Sequence, residues 1–137
     1  MNPNQALEKI REALIENGRD TRYTLGAYAF VMNGLEFFLA KLGEKRHVSG
    51  QELSAGLAEF AKKQFGPLAL EVLNSYGIHA TDDWGNIVYN LIDTGLMCRQ
   101  DNDSLDDFRQ VFDLKEYFGA YDPYQIDKEF IRSVKGA

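Results

Sequence analysis

Along residues 25–42, Ala27, Phe30, Val31, Gly34, Leu35, Phe38, Leu39 and Leu42 recur at three- and four-residue steps. That rhythm predicts a long central helix with one continuous apolar stripe, begun by Thr24 and closed by Gly43. Glycine on such a stripe weakens a helix by ~1 kcal/mol, so Gly34 predicts a close backbone contact with a second helix. Upstream, Leu7, Ile10 and Leu14 give a one-sided helix over 5–17, with Asn4 as cap and Asn17-Gly18 as stop.

Downstream, Ser49-Gly50-Gln51-Glu52 has the form of a capping box. Leu53, Leu57, Phe60, Ala61 and Phe65 then share one helical face. Gly66-Pro67 reads as a tight joint, glycine ending one helix and proline opening the next. Leu68, Val72, Leu73 and Tyr76 are the expected inward positions of that short helix, closed by Gly77. Thr81 is the expected cap of a third helix, with Asp82 and Asp83 in its first turn, where anions suit the helix dipole. Trp84, Ile87, Val88, Leu91 and Ile92 form its apolar stripe, and Gly85 on it predicts close approach of a neighbour.

Beyond Gly95 the period changes. Leu96, Cys98 and Gln100 alternate with Met97 and Arg99, and Phe108, Gln110 and Phe112 alternate after a polar turn. Period two around turn residues predicts a β-hairpin; Ser104-Leu105-Asp106-Asp107 also fits a short helical turn. Residues 113–119 offer one or two helical turns. Ile126, Phe130, Ile131 and Val134 make a last stripe, suited to packing on the body or to a dimer arm. The expectation is a mainly α protein of about six helices and one short hairpin. It forms a single domain over 1–137, with a winged-helix-like module over 47–112 and a helical tail over 113–137.

The chain has 137 residues, is 45% hydrophobic and carries net charge −6, an ordinary globular composition. No uninterrupted apolar run reaches ~18 residues and no secretory signal is apparent, so the expected location is the cytoplasm, away from membranes. The charge is uneven. Within 81–108 stand Asp82, Asp83, Asp93, Asp101, Asp103, Asp106 and Asp107 against Arg99 alone, whereas Lys41, Lys45, Arg46, Lys62 and Lys63 cluster elsewhere. A winged helix that reads nucleic acid needs cations where phosphates lie, and the third helix has none.

Catalytic and metal motifs are missing. Cys98 is the lone cysteine, and no HExxH, GxSxG, GxGxxG or phosphate-binding loop occurs. Asp101-Asn102-Asp103 starts like a calcium loop but has Asp106 at the glycine position and Phe112 at the closing glutamate position. No cofactor or metal is expected. His47 is the residue least explained by folding. Asn86 and Asn90 on the third helix suit either adenine edges or an exposed helix face. Tyr23, Tyr28, Tyr89, Tyr121 and Tyr124 fall off the helical stripes, and a surface tyrosine cluster would suit a protein interface.

Several motifs recur in order: His47-Val48-Ser49-Gly50-Gln51-Glu52-Leu53, Gln64-Phe65-Gly66-Pro67-Leu68-Ala69, Tyr76-Gly77-Ile78, Thr81-Asp82-Asp83-Trp84-Gly85, Ile87-Val88-Tyr89-Asn90-Leu91 and Asp107-Phe108. From Tyr23 to Gly119 the chain resembles a family of small conserved hypothetical bacterial proteins found in Planctomycetes and Verrucomicrobia. Trp84 stands in place of that family's phenylalanine and Tyr76 in place of its tryptophan. The resemblance implies no activity, ligand or functional residue.

The residues thus favour a non-catalytic module that binds another protein, with homodimerisation as one form of it. Arg46, His47, Asn86, Tyr89 and Asn90 are the candidate contacts. The rival readings are a nucleic-acid-binding regulator using Lys41, Lys45, Arg46, Lys62 and Lys63, and an enzyme with a site near His47.

Overall fold

The computed structural model describes residues 3–43, 48–97 and 104–120. The protein is mainly α-helical, with helices α1 (Pro3–Ile10), α2 (Leu25–Leu42), α3 (Gly50–Phe65), α4 (Ala69–Ser75), α5 (Thr81–Asp93) and α6 (Leu114–Ala120). α1 begins at Pro3, one residue before its expected cap, and runs into a π-helical stretch over Arg11–Glu16.

The caps explain most boundaries. Thr24 Oγ1 accepts the Ala27 N–H at 3.3 Å, and Gly43 ends α2 in the left-handed region. Ser49 and Glu52 close the capping box of α3, at 3.1 Å and 3.3 Å. At α5 the roles differ from expectation. Thr81 lies inside the helix and Ala80 takes the cap position, so Asp83 supplies the cap by accepting the N–H groups of His79 and Ala80 at 2.8 and 3.1 Å. Thr81, fully buried, instead donates its hydroxyl to the Phe108 carbonyl (2.8 Å) and accepts the Val111 N–H (3.1 Å).

That clamp bears on the expected hairpin. No strand occurs among the described residues, and Leu105–Phe108 is a 3₁₀ turn rather than the far side of a hairpin. Ser104 caps it by accepting the Asp106 N–H at 3.2 Å, and Asp107 accepts the Ser104 N–H at 3.3 Å. The turn lodges between two helices at their glycines. A Cβ on Gly85 would stand 2.7 Å from Phe108 Cβ, and one on Gly50 would stand 2.7 Å from Asp107 Cβ. Phe108 points inward because it fills this notch, not because it belongs to a pleated strand. The near side of the expected hairpin, from Cys98 onward, lies outside the described residues, as does the stripe Ile126–Val134.

Buried residues from all six helices join in one apolar cluster. Trp84, fully buried on α5, is its centre, stacked on Phe30 with ring centroids 6.5 Å apart and edge-on to Phe112 at 6.4 Å. α2 crosses α3 at Gly34, where a Cβ would lie 2.4 Å from Leu57 Cδ2, as the glycine on the stripe predicts. Leu68, an expected inward position, is 55% exposed because the 3₁₀ turn Gly66–Leu68 rotates it away from the face that buries Leu73.

Candidate protein-binding surface

The helix expected to be the third of a winged-helix module is α5, and the face bearing Asn86 and Asn90 is occupied by the chain's own α1–α2 connector and α2. Asn86 Nδ2 donates to the Tyr23 hydroxyl oxygen at 2.9 Å. Asn90 Nδ2 donates to Asp20 Oδ2 at 2.8 Å and to the Tyr28 hydroxyl at 3.1 Å. The Tyr23 hydroxyl in turn donates to Asp83 Oδ1 at 2.6 Å. Tyr23 and Tyr28 are buried at 2% and 0% exposure, so they do not belong to a surface tyrosine cluster. Burial, reinforced at Tyr23 by the Asp83 carboxylate, pushes both phenols up from their ordinary value.

Asp20 anchors this network. Its carboxylate accepts Arg22 Nε at 3.0 Å, a terminal guanidinium N–H at 2.7 Å and the Arg22 backbone N–H at 3.1 Å. The Arg22 hydrogen bond, helped by Asn90, holds the Asp20 carboxyl down to about 2. A lowered carboxyl stabilises the fold fully above its unfolded value near 4, and the benefit disappears as pH falls through about 2. The gap is worth about 2 kcal/mol at most, and exposure of the Arg22 partner reduces this to about 1 kcal/mol. We expect wild type to lose stability between pH 4 and pH 2 by that amount more than Asp20→Asn, measured by urea unfolding at each pH.

The acids of α5 are each engaged within the chain, one of them by a cation. Asp83 caps, Asp82 accepts the Gln110 N–H at 2.9 Å, and Asp93 pairs with Arg19 at 2.9 Å. The cations beside α5 come from residues 19–22, outside the window that reads as acidic in sequence. The basic cluster is engaged too. Lys41 pairs with Glu59, Lys62 Nζ lies 4.3 Å from the centre of the Tyr117 ring, and Lys63 Nζ lies 5.3 Å from that of Phe37. Lys45, Arg46 and His47 lie outside the described residues; Tyr89 is half-buried on α5.

A different surface stands out, on α2, whose Leu35, Leu39 and Leu42 the sequence pattern assigns to the core stripe. α2 has a mean hydropathy of 1.2 over its eighteen residues, yet 28% of it is buried. Its inner side is taken by Ala27, Tyr28, Phe30, Val31 and Gly34. Met32 and Leu35 lean on the core, Phe38 packs its ring over Gly56 of α3, Leu39 is partly buried, and Leu42 is 37% exposed. Met32, Leu35, Leu39 and Leu42 follow a three-four-three spacing, the pattern of a helix seam that meets another helix. By length and composition α2 is also apolar enough to cross a membrane, although no uninterrupted apolar run reaches that length.

No family model, curated protein or solved structure matches the chain.

Proposed function

We propose that the protein is a non-catalytic interaction module, cytoplasmic, which binds another polypeptide through the outer face of α2. The supporting observation is the partly exposed apolar end of α2, at Leu39 and Leu42. Leu42 is 37% exposed and Leu39, one turn before it, is only partly buried, so the end of the α2 stripe offers apolar surface to a partner. The seam Met32-Leu35-Leu39-Leu42 suits a helix laid along it, giving i, i+3 and i+7 anchors on this side. A second copy of the chain is one form such a partner takes.

The proposal departs from the winged-helix mode in which a third helix enters a groove. α3, α4 and α5 follow one another without a strand-built wing among the described residues, and the Asn86 and Asn90 side chains are tied to Tyr23, Tyr28 and Asp20. Membership in the Planctomycetes and Verrucomicrobia family belongs to the same proposal and rests on the order of the motifs. Photocrosslinking from position 39 tests the binding face: nuclease-resistant adducts with a polypeptide support it, and adducts only with nucleic acid or lipid overturn it.

A further inference from the structure

Away from α2, apolar surface is left uncovered where α3 turns into α4. Leu68 is 55% exposed, against 46% for Leu105 and 37% for Leu42. Val72, four residues further on, is partly buried but joins none of the apolar cluster that takes in its neighbours Leu70 and Leu73 among the described residues. Positions four apart on a helix share a face, so Leu68 and Val72 form an apolar strip outside the core. We propose that the end of the same chain, residues 126–134, folds back and covers this strip.

The first argument is where the described chain ends. α6 packs against α4 and runs to Ala120. On its way the Tyr117 ring meets Lys62 Nζ, 4.3 Å from the ring centre, in the last turn of α3. The chain is therefore delivered beside the α3–α4 joint that carries Leu68. Residues 121–125 span up to ~17 Å when extended, whereas α4, with seven residues, is only ~10 Å long. Ile126 thus comes within reach of the strip. Leu105 is a poorer match on the same ground. Its 3₁₀ turn lies against Gly50 at the start of α3, ~18 Å along that helix from Lys62.

The second argument is the sequence that follows α6. Ile126, Phe130, Ile131 and Val134 keep helical spacing and share one side, while Lys128 and Arg132 fall on the other. Asp122-Pro123 ahead of them has the form of a helix start. A one-sided stripe is stable in water only against a second apolar surface. Leu68 and Val72 offer that surface at the point to which α6 brings the chain.

The test is amide hydrogen exchange of the full chain at a low and a high concentration, read on the peptide covering 126–134. The expected exchange is about tenfold slower than that of an unstructured chain, or slower still, at both concentrations, the scale of burying one apolar side chain. Leu68→Asp is expected to abolish this protection while α3 and α5 stay as protected as in wild type, because Leu68 is more than half exposed and supports no core contact. Leu42→Asp and Leu105→Asp are expected to leave 126–134 unchanged. A wild-type chain unprotected over 126–134 overturns the proposal. So does protection that survives Leu68→Asp, that Leu42→Asp removes instead, or that grows with concentration, the mark of a second copy. The α2 proposal is tested separately, by crosslinking from position 39.

Discussion

Replacing Trp84 with alanine is expected to destabilise the protein by about 3–5 kcal/mol, the range for emptying a buried aromatic site. Trp84 is fully buried and bridges two groups of rings: Phe30 on one side, which also meets Phe60 and Phe65, and Phe112 on the other. Its removal opens a cavity that helices held by close glycine contacts cannot collapse to fill. Against a typical domain stability of about 5–15 kcal/mol, such a loss leaves many chains unfolded at physiological temperature. Trp84→Phe separates ring packing from polarity. The indole N–H has no acceptor among the described residues, so phenylalanine forfeits volume but no hydrogen bond. A loss of about 1–2 kcal/mol is expected for it. Because Trp84 is the chain's only tryptophan, urea unfolding should be followed by circular dichroism rather than fluorescence. Equal losses in the two variants would show that the indole itself, and not ring volume, carries the stability.

Gly77→Ala is the second large effect. Gly77 has φ +91°, and a Cβ there would stand 2.2 Å from the Arg22 carbonyl oxygen. Two penalties combine. The left-handed conformation costs an L-residue about 1–2 kcal/mol, and a contact that short with backbone cannot be relieved by turning a side chain. The α1–α2 connector must shift, which pulls on the Thr24 N–H bond to the Tyr76 carbonyl at 3.2 Å and on the Tyr23–Asp83 link. A total of about 3 kcal/mol or more is expected, in the range of backbone changes that combine strain with lost contacts. Gly43→Ala is the control, since it has φ +76° with open space around the added carbon. It should lose about 1 kcal/mol. Similar unfolding midpoints for the two variants would show that the Arg22 contact does not matter.

The helices were legible because their boundaries and buried faces are written locally. Ser49 and Glu52 lie three residues apart, and Trp84, Ile87, Val88 and Leu91 keep helical spacing; in the fold these four are buried. The hairpin was misread because alternation is an indirect signal. Phe108 and Phe112 turn inward for separate reasons, one lodging against Gly50 and Gly85 and the other meeting Trp84 edge-on. Only tertiary contact tells this apart from a strand.

The polar network was hidden for a related reason. Asn86 and Asn90 look like the exposed polar face of a helix, and their partners Tyr23, Tyr28 and Asp20 lie more than sixty residues earlier. The available signal was a pair of tyrosines, one just before a helix and one off its apolar stripe, and a pair of amides one turn apart on another helix. That combination is consistent with a buried hydrogen-bonded seam, yet composition alone does not pair them. The charge pattern was incomplete at the same seam, because Arg19, far outside residues 81–93 in sequence, pairs with Asp93. The exposure of Leu42 was equally illegible, since periodicity marks apolar positions without saying which of them the rest of the chain will cover.

The central claim is that α2 carries the binding face, and crosslinking in living cells tests it most directly. A photoreactive residue is placed at Leu39, with a matched probe at exposed Glu71 on α4 as control. The account predicts a discrete polypeptide adduct from position 39 that survives nuclease, is absent from position 71 and disappears when Leu35 and Leu42 are both changed to lysine in a folded variant. The adduct's mass then distinguishes a second copy from a different chain. No polypeptide adduct from position 39, or equal labelling from both positions, would contradict it.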